Sequence, residues 1–298
     1  MTVIPNDKRA LDYGSAAAIL DIQTCKLVDS IEIAWMHDKN IIDEYLVAYK
    51  QWIQTTKNNL INGLDEFPYQ CYSNGTTEAF DKFYMKNKDK RFRCFRGEYM
   101  YHKLAWRDKF DWEWIETESL RKGDAVVISL PFADTGDKHL DWEWLMTQCD
   151  LHDIPVLVDC AYFGICKNIV FDFNHRCITD IVFSLSKTFP LAYARCGIRF
   201  TREDNDDTMF VYHKIHYNNK LSAGLALQYL INFSPDYIPN KYAHKQIELC
   251  KELDVVPSKC VLFGIDYNDR YSEYNRGGQR NRLSFHKRFT KDQHASTE

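Results

Sequence analysis

No stretch of this sequence approaches the roughly 20 consecutive apolar residues that cross a bilayer. Met1 to Ala10 holds Pro5, Asp7, Lys8 and Arg9 without an apolar core, so a secretory signal is not expected there. No two of the ten cysteines have CxxC spacing, and they scatter from Cys25 to Cys260. Disulfide frameworks belong to short secreted chains, so buried free thiols and no metal site are expected. These absences predict a cytoplasmic protein. The net charge of -4 excludes a whole-molecule attraction to nucleic acid or an anionic membrane. There is no internal repeat and no low-complexity tract. What remains is ordinary globular composition, 45% apolar and 27% charged over 298 residues. That length fits one large domain, or a large one with a small one.

Apolar residues recur at helical spacing through Leu27, Ile31, Ala34, Ile41, Tyr45, Ala48, Trp52 and Ile53, which predicts helix over 27–62, ended by Asn62-Gly63. Short apolar runs then alternate with helix-like stretches. Strands are expected at Gln70 to Tyr72, Phe92 to Phe95, Asp124 to Leu130, Ile154 to Asp159, Ile181 to Ser184 and Cys196 to Phe200. A helix is expected over Thr76 to Lys86. Such alternation is the pattern of a largely parallel α/β sheet covered on both faces. Beyond Glu203 to Asp207, an acidic joint, the pattern turns to helices (Asp207 to Phe233, Ile238 to Leu253) and the short runs Cys260 to Ile265 and Arg282 to Phe285, which suit a smaller α+β domain. The aromatic stretches around Trp106, Trp112 and Trp114, and from Tyr237 to Tyr242, read as packing.

Four clusters fall at or just past the end of an expected strand, where ligands bind in open α/β sheets. Ser73-Asn74-Gly75-Thr76-Thr77 is a glycine turn feeding a helix N-terminus, a ready site for phosphate, though an ordinary capped turn has the same residues. Asp159 follows Val156-Leu157-Val158, and its carboxylate either caps a loop or meets a buried cationic nitrogen. Lys187 follows Ile181 to Ser184; desolvation there would expose the free amine that imine chemistry needs, whereas a lone lysine is usually a surface charge. Arg195 is either a surface ion-pair residue or a fork for an oxyanion. Together the four supply the partners that pyridoxal phosphate (PLP) requires: an imine lysine, an acid for the ring nitrogen and a phosphate cradle.

At these residues the chain resembles the fold-type I PLP enzymes, and within them the class I/II aminotransferases typified by aspartate and histidinol-phosphate aminotransferases. Ser184-Leu-Ser186-Lys187 through Arg195-Cys-Gly197 matches that family's Ser-x-x-Lys, seven residues, Arg-x-Gly signature. The resemblance implies a seven-stranded, mostly parallel sheet in a PLP-binding domain over 1–203, and a reduced small domain over 204–298. It implies that Lys187 forms the Schiff base and moves the Cα proton, that Asp159 keeps the ring nitrogen protonated, and that Tyr162 hydrogen-bonds the phenolate. Gly75, Thr76, Thr77, Ser184 and Arg195 would hold the phosphate, and Ser186 would also bind the cofactor. Tyr99, or alternatively Tyr101, would stack on the ring, and Arg282 would bind the substrate carboxylate. A homodimer acting on an amino acid and a keto acid is implied.

The chain departs from the family after the middle strand. Where the family carries Asn-Pro-x-Asn-Pro-x-Gly, this chain reads Leu130-Pro-Phe-Ala133-Asp-Thr-Gly136, so the second Asn is replaced by Ala133. Both ends are short for the family. Transamination is therefore the expected reaction, with other PLP chemistry (lyase, decarboxylase, cyclase) as the alternative. A non-catalytic copy would be expected to lose Lys187 first, and Lys187, Asp159 and Arg195 are all present.

Overall fold

The computed structural model describes residues 11–31, 33 and 38–295. In chain order the elements are α1 (Ile22–Asp29), α2 (Ile41–Gln54), β1 (Leu60–Asn62), β2 (Tyr69–Asn74), α3 (Thr76–Lys86), β3 (Arg91–Cys94), α4 (Met100–Trp106) and β4 (Trp112–Trp114). Next come β5 (Asp124–Ser129), α5 (Trp142–Leu151), β6 (Val156–Cys160), β7 (Val170–Asp172), β8 (Ile178–Ser184) and β9 (Cys196–Thr201). The chain ends with α6 (Thr208–Lys214), α7 (Lys220–Asn232), α8 (Tyr237–Leu253), β10 (Val256–Pro257), β11 (Phe263–Asp266), β12 (Asn281–Ser284) and α9 (His286–Ala295).

The large sheet has seven strands in the order β2-β9-β8-β6-β5-β3-β4. Every pairing is parallel except those of β9, which runs against both β2 and β8. The continuous apolar runs read from the sequence are buried along their whole length in β5, β6 and β9. Alternate residues serve opposite faces: Val126, Ile128 and Val158 pack with the α2 side, while Ala125, Val127 and Leu157 pack with Phe80, Phe83 and Trp106 of α3 and α4. At roughly 1.5–3 kcal/mol per buried large aliphatic side chain, these two layers dominate the stability of the sheet. Trp106 stacks on Phe92 at 5.3 Å and Tyr242 on Phe289 at 5.4 Å, so these aromatics serve packing. Except for half-buried Cys25, the cysteines are buried and free.

Two expectations are corrected. The 27–62 helix is interrupted: α1 begins at its Asp21 cap, which accepts from the Gln23 and Thr24 amides, and it stops at Asp29. Asp38 Oδ1 then accepts the Asn40 amide at 2.7 Å, a local turn that competes with helix before α2 starts. Ala34 lies outside the described residues. Residues 60–62 are not helix but β1, paired in parallel with β7. The second correction is the helical stretch from Asp207, which breaks at Ile215 into α6 and α7. α6 lies against β2 and α7 against α2. The small antiparallel sheet β10-β11-β12 pairs Arg282 with Ile265. No helix among the described residues is long and apolar enough to cross a membrane.

Candidate active site

The parallel strands β5, β6 and β8 deliver their last residues, Ser129, Asp159-Cys160 and Ser184, to one edge of the sheet. β9 runs the opposite way, so its first residue, and Arg195 just before it, arrive at that same edge. The pairing of Gly197 with both Ser73 and Ser184 fixes this. Four separated sequence clusters therefore converge.

Lys187 sits in the turn after β8, where the Thr188 and Phe189 amides both donate to the Leu185 carbonyl. Its Nζ donates to the Ala16 carbonyl at 2.9 Å. Burial, reinforced by the charges of Arg282, Arg276 and Arg195 and opposed by Asp159, holds its ammonium down to about 8. Asp159 is 4% exposed. Burial first and the Glu98 carboxylate second push it up to about 8, against the Ala161 amide and Lys187. The Ala161 amide donates to Asp159 Oδ1 at 3.0 Å. An amine shifted down and a carboxyl shifted up, near neighbouring strand ends, are perturbations of the kind that cluster at functional sites.

The turn between β2 and α3 is built around Gly75, whose φ of 72° lies in the left-handed region. A Cβ there would stand 2.4 Å from Arg195 Nη2, so the bare glycine is what lets the guanidinium close over the helix start. Arg195 Nη2 donates to the Asn74 carbonyl at 3.1 Å and to Thr77 Oγ1 at 2.9 Å. Glu78 accepts from the Asn74 amide at 2.8 Å and its side-chain Nδ2 at 2.9 Å, which draws the turn back onto α3. The first amides of α3, from Thr76 and Thr77 onward, have no acceptor within the helix. Ser184 Oγ lies 2.9 Å from Ser186 Oγ and accepts from the Ser186 amide at 3.2 Å. Backbone amides, hydroxyls and a guanidinium grouped in this way are the donors that an anion requires. Arg195 itself has φ 57°, a strained conformation for a side-chain-bearing residue, held where its guanidinium meets the helix.

Of the two candidate stacking rings, Tyr101 donates to Asp81 Oδ1 at 2.9 Å and is turned toward α3. Tyr99 keeps Asp159, Tyr162 and Arg195 as its ionisable neighbours, and its hydroxyl is raised mainly by burial. Arg282 is 1% exposed on β12. Its Nη1 donates to Tyr162 Oη at 3.0 Å and to the Ala133 carbonyl. Its guanidinium lies 4.2 Å over the Phe263 ring, and its Nε is buried without a partner among the described residues. The position that lacks the family's Asn thus meets Arg282 through its backbone oxygen.

Three site residues were not foreseen. Glu98 is buried beside Asp159. Asp134, pushed up to about 6 mainly by burial, is packed under Gly97 and Gly278, with its Oδ1 unpartnered among the described residues. Arg276 has a buried Nε without a partner among the described residues, and the Arg282 guanidinium, ahead of burial, holds it down to about 10. The signals were faint: Gly97-Glu98 directly before Tyr99, and Arg276-Gly-Gly278 shortly before Arg282.

This architecture is that of the fold-type I PLP enzymes. No family model and no curated protein matches the sequence. Among solved structures, the chain is similar to a PLP-bound C-S lyase from Staphylococcus hominis, with a TM-score of 0.66 at 11% identity over 100% of this chain and 97% of that one. It is also similar to a Thermus thermophilus aspartate aminotransferase double mutant, with a TM-score of 0.68 at 12% identity over 94% and 89%. A third is the L-threonine-O-3-phosphate decarboxylase of Porphyromonas gingivalis, with a TM-score of 0.61 at 11% identity over 96% and 98%. The likeness establishes the fold, and three named reactions share it.

Proposed function

We propose that this chain is a PLP-dependent enzyme acting on an amino acid, and that its reaction is transamination. The observation that carries the reading is the pairing of a lowered Lys187 amine with a raised Asp159 carboxyl on one sheet edge, beside the Gly75–Arg195 anion cradle. The residues fit the group: Thr76, Thr77, Ser184, Ser186 and Arg195 would hold its phosphate, Asp159 its ring nitrogen, Tyr162 its phenolate and Tyr99 its ring face. Bound PLP supplies an aldehyde that captures a primary amine and a ring that accepts electron density from it. With its ammonium near 8, about a tenth of Lys187 is free base at pH 7. Released by a substrate amine, Lys187 Nζ would take the proton from the substrate Cα and return it elsewhere. Arg282 would exchange its Ala133 contact for the substrate carboxylate, a charged partner in place of a neutral one. Arg276 adds a second cation on the same side.

Borohydride treatment of protein incubated with PLP should fix a pyridoxyl group on Lys187, seen by peptide mass spectrometry. A label on another lysine, or no label, would overturn the reading. An amino-acid screen with a keto-acid acceptor then separates reactions. Keto acid appearing with the amine form of the cofactor supports transamination. Product without that form supports the second reading, a lyase or decarboxylase, which the named activities of two of the neighbours favour. A homodimer belongs to this proposal and is checked by light scattering.

A further inference from the structure

Glu98 is a carboxylate that the chemistry above does not use, and it is 6% exposed. It stands in the turn after β3, where Gly97 at φ 86° lets the chain fold back on Asp134. Its Oε1 accepts from Ser129 Oγ at 2.5 Å and from the Tyr99 amide at 2.8 Å. Its Oε2 accepts from the Ser129 amide at 2.8 Å. Ser129 is the register partner of Asp159 on the neighbouring parallel strand. Partners in a parallel pair project to the same face, about 4.8 Å apart. Ser129 therefore tethers a second carboxylate at the side of Asp159. Donors alone would stabilise the Glu98 anion, while burial and Asp134 oppose it. The ionisable groups around the pair are Cys94 from β3, Tyr99, Asp134, Cys160 from β6, Tyr84 from α3 and Lys187; Lys187 is the cation that acts on Asp159, while Arg195 and Arg276 act on Tyr99, and Arg276 and Arg282 on Asp134.

We infer that Glu98 is a positioning residue that acts through Ser129 and Asp159, its charge behind Asp159 holding the proton on the cofactor ring nitrogen against rising pH. This rests on the proposed PLP reading. A residue that only pinned the Tyr99 turn would alter cofactor affinity, not the pH at which the bound cofactor titrates.

The test uses the full chain loaded with PLP carrying a 15N-labelled ring nitrogen, whose NMR shift is followed against pH. Glu98→Gln should still take up cofactor, with a titration midpoint lowered by about one pH unit, a ten-fold loss of proton affinity. Glu98→Asp, which restores the charge, should recover most of that shift. The amino-acid half-reaction of Glu98→Gln should slow about ten-fold with PLP, and match the unsubstituted protein with a PLP analogue methylated on the ring nitrogen, which is permanently cationic. An unmoved midpoint in Glu98→Gln, or a deficit that persists with the methylated analogue, overturns the inference. Should Glu98→Gln fail to fold, Ser129→Ala removes one of the three donors that stabilise the Glu98 anion, and a smaller lowering of the midpoint in the same direction is expected. An unsubstituted protein that takes up no PLP fails the underlying reading, an outcome distinct from a loaded protein whose midpoint ignores Glu98.

Discussion

Asp159 and Lys187 each store a cost in the folded protein. Asp159, at about 8 when folded against an ordinary value of 3.8, binds its proton more tightly folded than unfolded. Its contribution to stability is therefore intact below about pH 4 and is lost as pH rises toward 8. Lys187 runs the other way: lowered from 10.5 to about 8, it loses stability as pH falls through that window. Asp159→Asn, which can still accept the Ala161 amide, should raise the melting temperature of cofactor-free protein by about 2–4 °C at pH 8. The gain should vanish near pH 4; an equal gain at both pH values would contradict the assignment of cost to the carboxylate. Arg282→Ala should raise KM for the amino acid about ten- to hundred-fold with far less effect on cofactor uptake, as measured by steady-state kinetics and absorbance. Asp159 and Lys187 were legible in the sequence because each directly follows an apolar strand that must end at the ligand edge. Glu98, Asp134 and Arg276 were not. A charged side chain in a loop reads as solvated until the loop covering it is known, and these loops meet only across the sheet edge.

At the scale of elements, α3 was readable to the residue and β2 to within two residues at its end, because a glycine turn and a threonine-rich helix start are local signals. The turn's function depends on a non-local partner. Gly75→Ala would force a side chain into a φ of 72° and against Arg195 Nη2. The expected result is a folded protein with about ten-fold or weaker PLP affinity, measured by fluorescence titration alongside circular dichroism. Wild-type affinity would remove Arg195 from the cradle. β1 and β7 escaped notice because each spans three residues and is stabilised by the other, more than by its own apolar pattern. The 27–62 periodicity misled for a related reason: apolar spacing persists on both sides of a turn that only Asp38 and Asn40 mark.

Across the whole molecule, the segment before α1 bridges the large sheet and the small antiparallel one. The Ser284 amide donates to the Tyr13 carbonyl at 2.9 Å, and Tyr13 packs edge-on against Phe285 at 6.1 Å. A few residues on, Ala16 takes the Lys187 hydrogen bond. Loading Lys187 with cofactor removes that donor, so backbone amides around 14–18 should exchange hydrogen faster in loaded protein, by mass spectrometry. Unchanged exchange would mean that the segment is held by its other contacts, such as those of Tyr13 and Leu11, without the Lys187 bond. The edge position of β2 has a consequence for the order of assembly. Tyr69–Asn74 pairs within the large sheet only with Cys196–Thr201. During synthesis, the Gly75 turn emerges early, but its strand waits for nearly all of the large sheet before it has a neighbour. Long-range pairing of this kind closes late in folding. The proposed anion cradle is thus set only after Asp159 and Lys187 have been made, so on that proposal a half-made chain has no complete grip on a reactive aldehyde.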